Sequence, residues 1–312
     1  MLFRSWGQLG DGQETTNACS PQEVANVDDV VAIDATYLGF IARKTDGSLV
    51  AWGNDYYGET GANKAWAGTF TPTAVTGITD VTTLFSFERG SIAITSDGTV
   101  YGTGDYSMWG ETDTRTSSAV FVAAANLQAA GCVKPVGGIQ YNGYCLTASG
   151  QLISMGYFGN EMLLRGGDLT GSCGSAIFKQ YFGPCVARST TDKTSAGIIA
   201  TFDGIADGDC TSVVCYWIKT DGSIWMSGDP DATSPVAAKI NPDTCAASEL
   251  CADGTAMTAA VKLDAWGTDN KKVDCTLHQC FVLKDDDTIK GIGANTNGEL
   301  GTGDFLRSEE HT

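Results

Sequence analysis

The chain has 312 residues, of which 42% are hydrophobic and only 18% charged, with 39 glycines; it can bury a large core and is neither a disordered nor a collagen-like polymer. Its net charge of −18 and pI near 4.3 exclude nucleic acid as a partner, because phosphate binding draws its affinity from Lys and Arg displacing counterions. No apolar run approaches the roughly eighteen residues that a membrane-spanning helix needs.

The chain opens Leu2-Phe3-Arg4-Ser5 and closes with Arg307-Ser308-Glu309-Glu310-His311-Thr312. The tetrapeptides at the two ends can be encoded by reverse complements of one another and look like sequencing-adapter sequence translated in frame, so residues 1–5 and 307–312 are expected to be non-native scars. A natural sequence read from Trp6 to Leu306 is then expected to be a fragment of a longer array, with Met1 no start codon and the missing leader uninformative about secretion. The net charge survives this trimming, since two basic and two acidic residues leave together.

Residues 6–28 read as a partial blade that contributes one fourth strand near residues 20–24. From Val30 the pattern settles into short apolar runs broken by Asp-Gly and Gly-rich turns, which predicts strands joined by tight hairpins. Asp46-Gly47-Ser48-Leu49-Val50-Ala51-Trp52-Gly53 is the key unit. It returns at Asp97 to Gly104, Ser149 to Gly156, Asp221 to Gly228 and Asp286 to Gly293. Gly47, Gly98, Gly150 and Gly222 are predicted turn glycines with positive φ. The closing glycines lie 51, 52, 72 and 65 residues apart, a step that suits propeller blades rather than a helical solenoid.

An all-β fold follows, a β-propeller of four-stranded antiparallel blades, with about five repeats present of a probable seven. The expected blades are 29–79, 80–131, 132–196 with an insertion, 197–259 with an insertion, and a partial blade over 260–306. A fourth strand is expected after each long loop, with Pro72 marking an edge position in the first full blade.

Eleven cysteines occur. Cys210 with Cys215 and Cys275 with Cys280 share one context, six residues before the acidic turn, which places each pair across a short loop between facing strand residues close enough for a disulfide. Cys245 with Cys251, Cys173 with Cys185, and Cys132 with Cys145 are the further expected pairs, leaving Cys19 over. Cysteines this frequent point to an extracellular or cell-surface location, with the cytoplasm as the alternative. Zinc does not suit a C-x4-C spacing beside a single natural histidine, His278, and the acidic stretch Asp203 to Asp209 lacks the ligand alternation and final Glu of a calcium loop.

The same scarcity of histidine removes catalysis from the expectations. A nucleophilic triad would have one available base, placed between two cysteines, and neither a nucleophile elbow nor a phosphate-cradling loop ending in Lys-Ser or Lys-Thr is present. The chain is therefore read as a non-enzyme without cofactor or metal. Aromatic residues following the third strand of each blade are the candidates for recognition: Tyr56, Tyr57, Trp66, Tyr106, Trp109, Tyr157 and Phe158. Rings combine contact area with few rotatable bonds; capping of blade cores is the competing role.

The Asp-Gly-Ser-Leu-Val-Ala-Trp-Gly strand, the step near 51 residues and the trailing Tyr-Gly-Glu-Thr-Gly and Gly-Glu-Leu-Gly resemble the repeats of the regulator of chromosome condensation family. The resemblance implies a seven-bladed β-propeller and is unspecific for function, because the family includes exchange factors for small GTPases, ubiquitin-ligase modules, a plant ultraviolet photoreceptor and secreted enzyme inhibitors. Family repeats usually carry a His before the second strand, where this chain has Gly39, Gly90, Asn142, Val214 and Gln279. The reading that results is a propeller scaffold, outside the cell, binding a protein or other macromolecule through its loop face. An intracellular exchange-factor-like or ubiquitin-ligase-associated propeller and a secreted enzyme inhibitor are its alternatives.

Overall fold

The computed structural model describes residues 7–12, 23–64, 68–105, 109, 117–139, 142–156, 197–198, 202–211, 214–228, 260–276, 279–293, 295 and 298–301. The chain divides into two compact units, one covering Met1–Pro135 and the other most of the residues from Val136 onward. Among the described residues the architecture is almost wholly β, with one short α-helix, α1 (Ala125–Ala129), and a 3-10 turn at Asp264–Trp266.

In the first unit, β1 (Val30–Ala35), β2 (Gly39–Lys44), β3 (Leu49–Gly53) and β4 (Thr69–Ala74) form an antiparallel sheet in sequence order. β5 (Val81–Ser86), β6 (Gly90–Thr95), β7 (Val100–Asp105) and β8 (Ser117–Ala123) form the next. Ile41, Leu49, Ala51, Val81, Ala93 and Phe121 meet in one buried cluster between them. Pro72 lies in the outer strand β4, where a missing N–H costs no ladder bond and the β3–β4 register is already interrupted between Ala51 and Gly53.

The chain from Cys132 onward repeats the plan. β9 (Cys132–Ile139), β10 (Asn142–Thr147), β11 (Leu152–Gly156) and β12 (Gly197–Ile198) form one sheet; β13 (Ile205–Cys210), β14 (Val214–Lys219), β15 (Ile224–Gly228) and β16 (Val261–Lys262) form another. β17 (Asn270–Cys275), β18 (Gln279–Lys284) and β19 (Ile289–Gly293) make a three-stranded sheet. Two expected blade boundaries move. Gly197–Ile198 pairs with β11 and Val261–Lys262 with β15, so each is the fourth strand of the blade before it. A two-residue strand beyond a long insertion leaves almost no periodic signal to read.

Local chemistry explains the repeat. In four of the acidic turns the Asp carboxylate accepts the N–H of the residue two positions on: Ser48 to Asp46, Thr99 to Asp97, Ser223 to Asp221 and Thr288 to Asp286. This side-chain turn pre-forms the hairpin. The closing glycines answer a different need. Gly53 faces Gly39 and Gly104 faces Gly90 in the register, and a Cβ on Gly53 would lie 2.7 Å from the Gly39 Cα; only glycine fits so close a backbone approach.

The turn glycines join blades as well as closing hairpins. The Gly47 carbonyl accepts the N–H of Val81, the Gly150 carbonyl that of Ile205 and the Gly222 carbonyl that of Asn270, in each case the first residue of the next blade. A second clasp lies further along the first strands: Asp34 Oδ2 accepts from Ser86 N at 2.7 Å and Asp209 Oδ2 from Cys275 N at 2.7 Å, the same phase in both units. Charge-assisted bonds to backbone N–H groups of this kind fix the spacing of one sheet on the next.

Cys210 is bonded to Cys215 and Cys275 to Cys280, each pair directly opposed in its hairpin register. Cys132 and Cys145 each take part in a disulfide as well. Cys19, Cys173, Cys185, Cys245 and Cys251 lie outside the described residues. Closing a loop of so few residues constrains the unfolded chain by roughly 2 kcal/mol. Replacing Cys275 and Cys280 together by Ser is therefore expected to lower stability by about that amount, measured by urea unfolding; an unchanged midpoint contradicts the staple.

Candidate binding face

The loop that follows β3 carries the best-defined candidate surface. Its conformation is built from within: Asp55 Oδ1 accepts the N–H of Thr60 at 2.8 Å and Asp55 Oδ2 that of Lys64 at 3.3 Å. Glu59 Oε2 accepts the N–H of Tyr57 at 2.6 Å. The neighbouring blade holds the loop from outside. Ser91 Oγ donates to the Glu59 carbonyl and Thr103 Oγ1 to the Gly58 carbonyl, both at 2.7 Å, and the Gly58 backbone presses so closely on Ser118 and Ala119 that no Cβ could be added there.

On this base stand two tyrosines with ring centroids 4.8 Å apart, edge to face. Tyr56 is 44% exposed. Tyr57 is half-buried, with the Arg89 guanidinium 4.5 Å from its ring centroid. Arg89 comes from the loop after β5, beside Glu88 at 4.0 Å. The same loop receives the N–H of Tyr37 on the Glu88 carbonyl at 3.2 Å, and the Tyr37 side chain is 60% exposed. Two exposed phenol rings thus sit on hydrogen-bonded loops, that of Tyr56 fixed by buried side chains and that of Tyr37 by its backbone bond to Glu88, the arrangement in which a tyrosine loses little entropy on binding.

Electrostatics under the rings is unusual. Asp55 and Glu59 are both buried, at 0% and 1% exposure. Burial pushes the Glu59 carboxyl up to about 7, with the nearby Asp55 raising it further and Arg89 opposing. Asp55 is raised by the same desolvation against the hydrogen bonds from Thr60 and Lys64.

The other expected recognition residues divide. Trp109 is not part of the surface: it is wholly buried, its indole lying over Gly102 of β7 so closely that a Cβ there would meet Trp109 Cδ2 at 2.2 Å. It caps a blade core, because a large ring fills the space that glycine leaves. Trp66, Tyr106, Tyr157 and Phe158 lie outside the described residues. Tyr37, Glu88 and Arg89 were missed by sequence reasoning, which looked only behind the third strand. The Tyr-Leu-Gly and Glu-Arg-Gly steps directly before β2 and β6 were the available signal. No group of three or more His, Cys, Asp or Glu able to hold a metal ion occurs among the described residues, and no helix of the described residues is long and apolar enough to cross a membrane.

No protein-family model and no curated protein matches the chain. Solved structures do. Human WBSCR16 is similar at 13% identity and a TM-score of 0.63, covering 89% of this chain and 65% of that one. Prp20p from Saccharomyces cerevisiae follows at 14% identity and 0.64, covering 87% and 58%, and yeast RCC1 (Prp20) bound to Kap60 at 14% and 0.62, covering 85% and 56%. The fold is that of an RCC1-type β-propeller. At identities of 13–14% the likeness carries the propeller fold alone. The chain spans between 56% and 65% of the length of these propellers.

Proposed function

We propose that this propeller is a non-enzymatic scaffold that binds another protein through the loop face bearing Tyr37, Tyr56, Tyr57 and Arg89. The observation that carries the reading is the pair of exposed tyrosines, at 60% and 44%, Tyr56 on a loop held by the buried side chains of Asp55, Ser91 and Thr103 and Tyr37 on a turn bonded through its backbone to Glu88. Tyrosine and arginine together are the residues most often found to dominate the binding energy of protein interfaces. Immobilised chain that retains a protein partner through this face is expected to lose at least about 30-fold in affinity when Tyr37 and Tyr56 are both replaced by Ala, with the melting temperature unchanged. Equal affinity for the double variant contradicts the assignment.

The disulfides at Cys210, Cys215, Cys275 and Cys280 support placing the protein outside the cell, where such bonds persist. A regulatory propeller inside the cell is the second reading, favoured by the fold: the structure of Prp20p is described with its binding to Gsp1p and histones. A net charge of −18 suits a basic partner under either reading and disfavours nucleic acid.

A further inference from the structure

We propose that the buried pair Asp55 and Glu59 makes the tyrosine-bearing loop of residues 54–61 proton-sensitive, held closed while Glu59 is protonated and loosened when it ionises. This deepens the binding reading by adding its regulation. Geometry carries it. The Glu59 carboxylate accepts the N–H of Tyr57 at 2.6 Å, the residue over whose ring Arg89 lies at 4.5 Å. Protonated, Glu59 can stay buried without a charge to solvate, and its carboxyl oxygen still accepts the Tyr57 N–H, so the loop remains packed. Ionised, it is a poorly solvated charge beside the second carboxyl of Asp55, which the single guanidinium of Arg89 does not offset, and the loop carrying Tyr56 and Tyr57 loosens to solvate it.

Among the described residues the groups facing Glu59 are few. From its own loop come Asp55 and Tyr57; from the loop after β5 come Arg89 and, sharing that cation at 4.0 Å, Glu88; from β6 and β7 come the hydroxyls of Ser91 and Thr103 on the loop's carbonyls. One cation therefore stands against three carboxyls. Burial of Glu59 at 1% exposure, with the like charge of Asp55 beside it, brings its titration to about 7.

Other copies of the repeat show that the fold does not require these charges. Gly7-Gln8-Leu9-Gly10 and Gly298-Glu299-Leu300-Gly301 align with Gly58-Glu59-Thr60-Gly61. Neutral Gln8 takes the place of Glu59, and Glu299 at the same phase is exposed. Asn295 takes the place of Asp55: its Oδ1 accepts the N–H of Leu300 at 2.9 Å, as Asp55 accepts that of Thr60 at 2.8 Å. An amide performs the same turn without a charge. Only the loop at 54–61, among the described copies, buries two carboxyls together, and it is the loop with two adjacent tyrosines.

The test is a pH titration of the free full-length chain by amide NMR, reading the Tyr57 N–H. The resonance is expected to follow a single protonation with its midpoint near 7, to lose that transition in Glu59→Gln, and to show it at lower pH in Asp55→Asn, where the like charge is gone. A Tyr57 resonance that stays flat from about pH 5 to 9, or a transition that survives in Glu59→Gln, overturns the proposal. Should Glu59→Gln fail to fold, the direction of movement in Asp55→Asn decides. Because no partner is present, the outcome is independent of whether Tyr37 and Tyr56 carry binding.

Discussion

Replacing Gly222 by Ala is expected to destabilise the chain by about 3 kcal/mol or more, whereas the same change at Gly98 costs only about 1 kcal/mol. Both turns have positive φ, 74° and 83°, so both variants bear the strain of an L-residue in the left-handed region. They differ in what lies beyond. A Cβ on Gly222 would come within 2.0 Å of the Thr268 carbonyl oxygen, whereas one on Gly98 meets nothing within 4 Å. Gly222 also gives its carbonyl to Asn270 N at the start of the next blade, while the Gly98 carbonyl accepts from the flexible side chain of Gln128. Displacing backbone in one blade to admit a methyl from another breaks that contact; at Gly98 nothing need move. Urea denaturation of the two variants, compared at equal m-value, measures the difference. Equal losses contradict the clasping role of the turn glycines.

Stability is expected to peak in weakly acidic solution and to fall as pH rises towards neutrality. Glu59 has an ordinary carboxyl value of 4.5 when unfolded and titrates near 7 in the fold, chiefly through burial. Asp209 is lifted from 3.8 to about 7 by burial, although Cys275 and Cys210 donate N–H bonds to it. Between the unfolded and folded values the native chain holds protons that the unfolded chain has released, so unfolding becomes easier with every step upward in that window and levels off above it. For Glu59 the loss amounts to about 3 kcal/mol, a size that assumes complete burial. The opposite trend begins at lower pH. Asp46, Asp97, Asp221 and Asp286 are held below the ordinary range, first by hydroxyls of Ser48, Thr95, Ser223 and Thr288 respectively, and their contribution disappears as pH falls below about 4. Relief of repulsion in a chain of net charge −18 works in the same direction as Glu59. Melting temperatures taken from about pH 4 to 8 should therefore decline across the upper part of the range. A rise towards pH 8 contradicts the burial of these carboxyls.

Much of this fold is legible in the sequence because its signals are local. An acidic residue with Ser or Thr two places on writes the hairpin turn, and a glycine closing the third strand writes the close approach to the start of the second. Both recur often enough to fix blades and their order. The fourth strands at Gly197–Ile198 and Val261–Lys262 escape, since two residues after a long insertion carry no period, and both blade boundaries drawn there fell short. The site is less legible for a physical reason as well. Whether an aromatic ring faces solvent depends on the backbone it meets in three dimensions: Trp109 disappears over a glycine in β7 of its own blade, whereas Tyr37 is lifted out by its backbone bond to Glu88 of the next. Burial of Glu59 arises in the same way, from Ser91 and Thr103 of the next sheet, and the chemically similar Glu299 remains exposed.

Alkylation of unreduced native protein followed by mass spectrometry tests the account at its centre, a disulfide-stapled propeller at work in an oxidising environment. Cys132, Cys145, Cys210, Cys215, Cys275 and Cys280 are expected to resist labelling until a reductant is added, and to take it up together with a fall in melting temperature afterwards. Labelling of Cys210 with Cys215, or of Cys275 with Cys280, in unreduced protein from its native source would remove the staples and with them the extracellular reading.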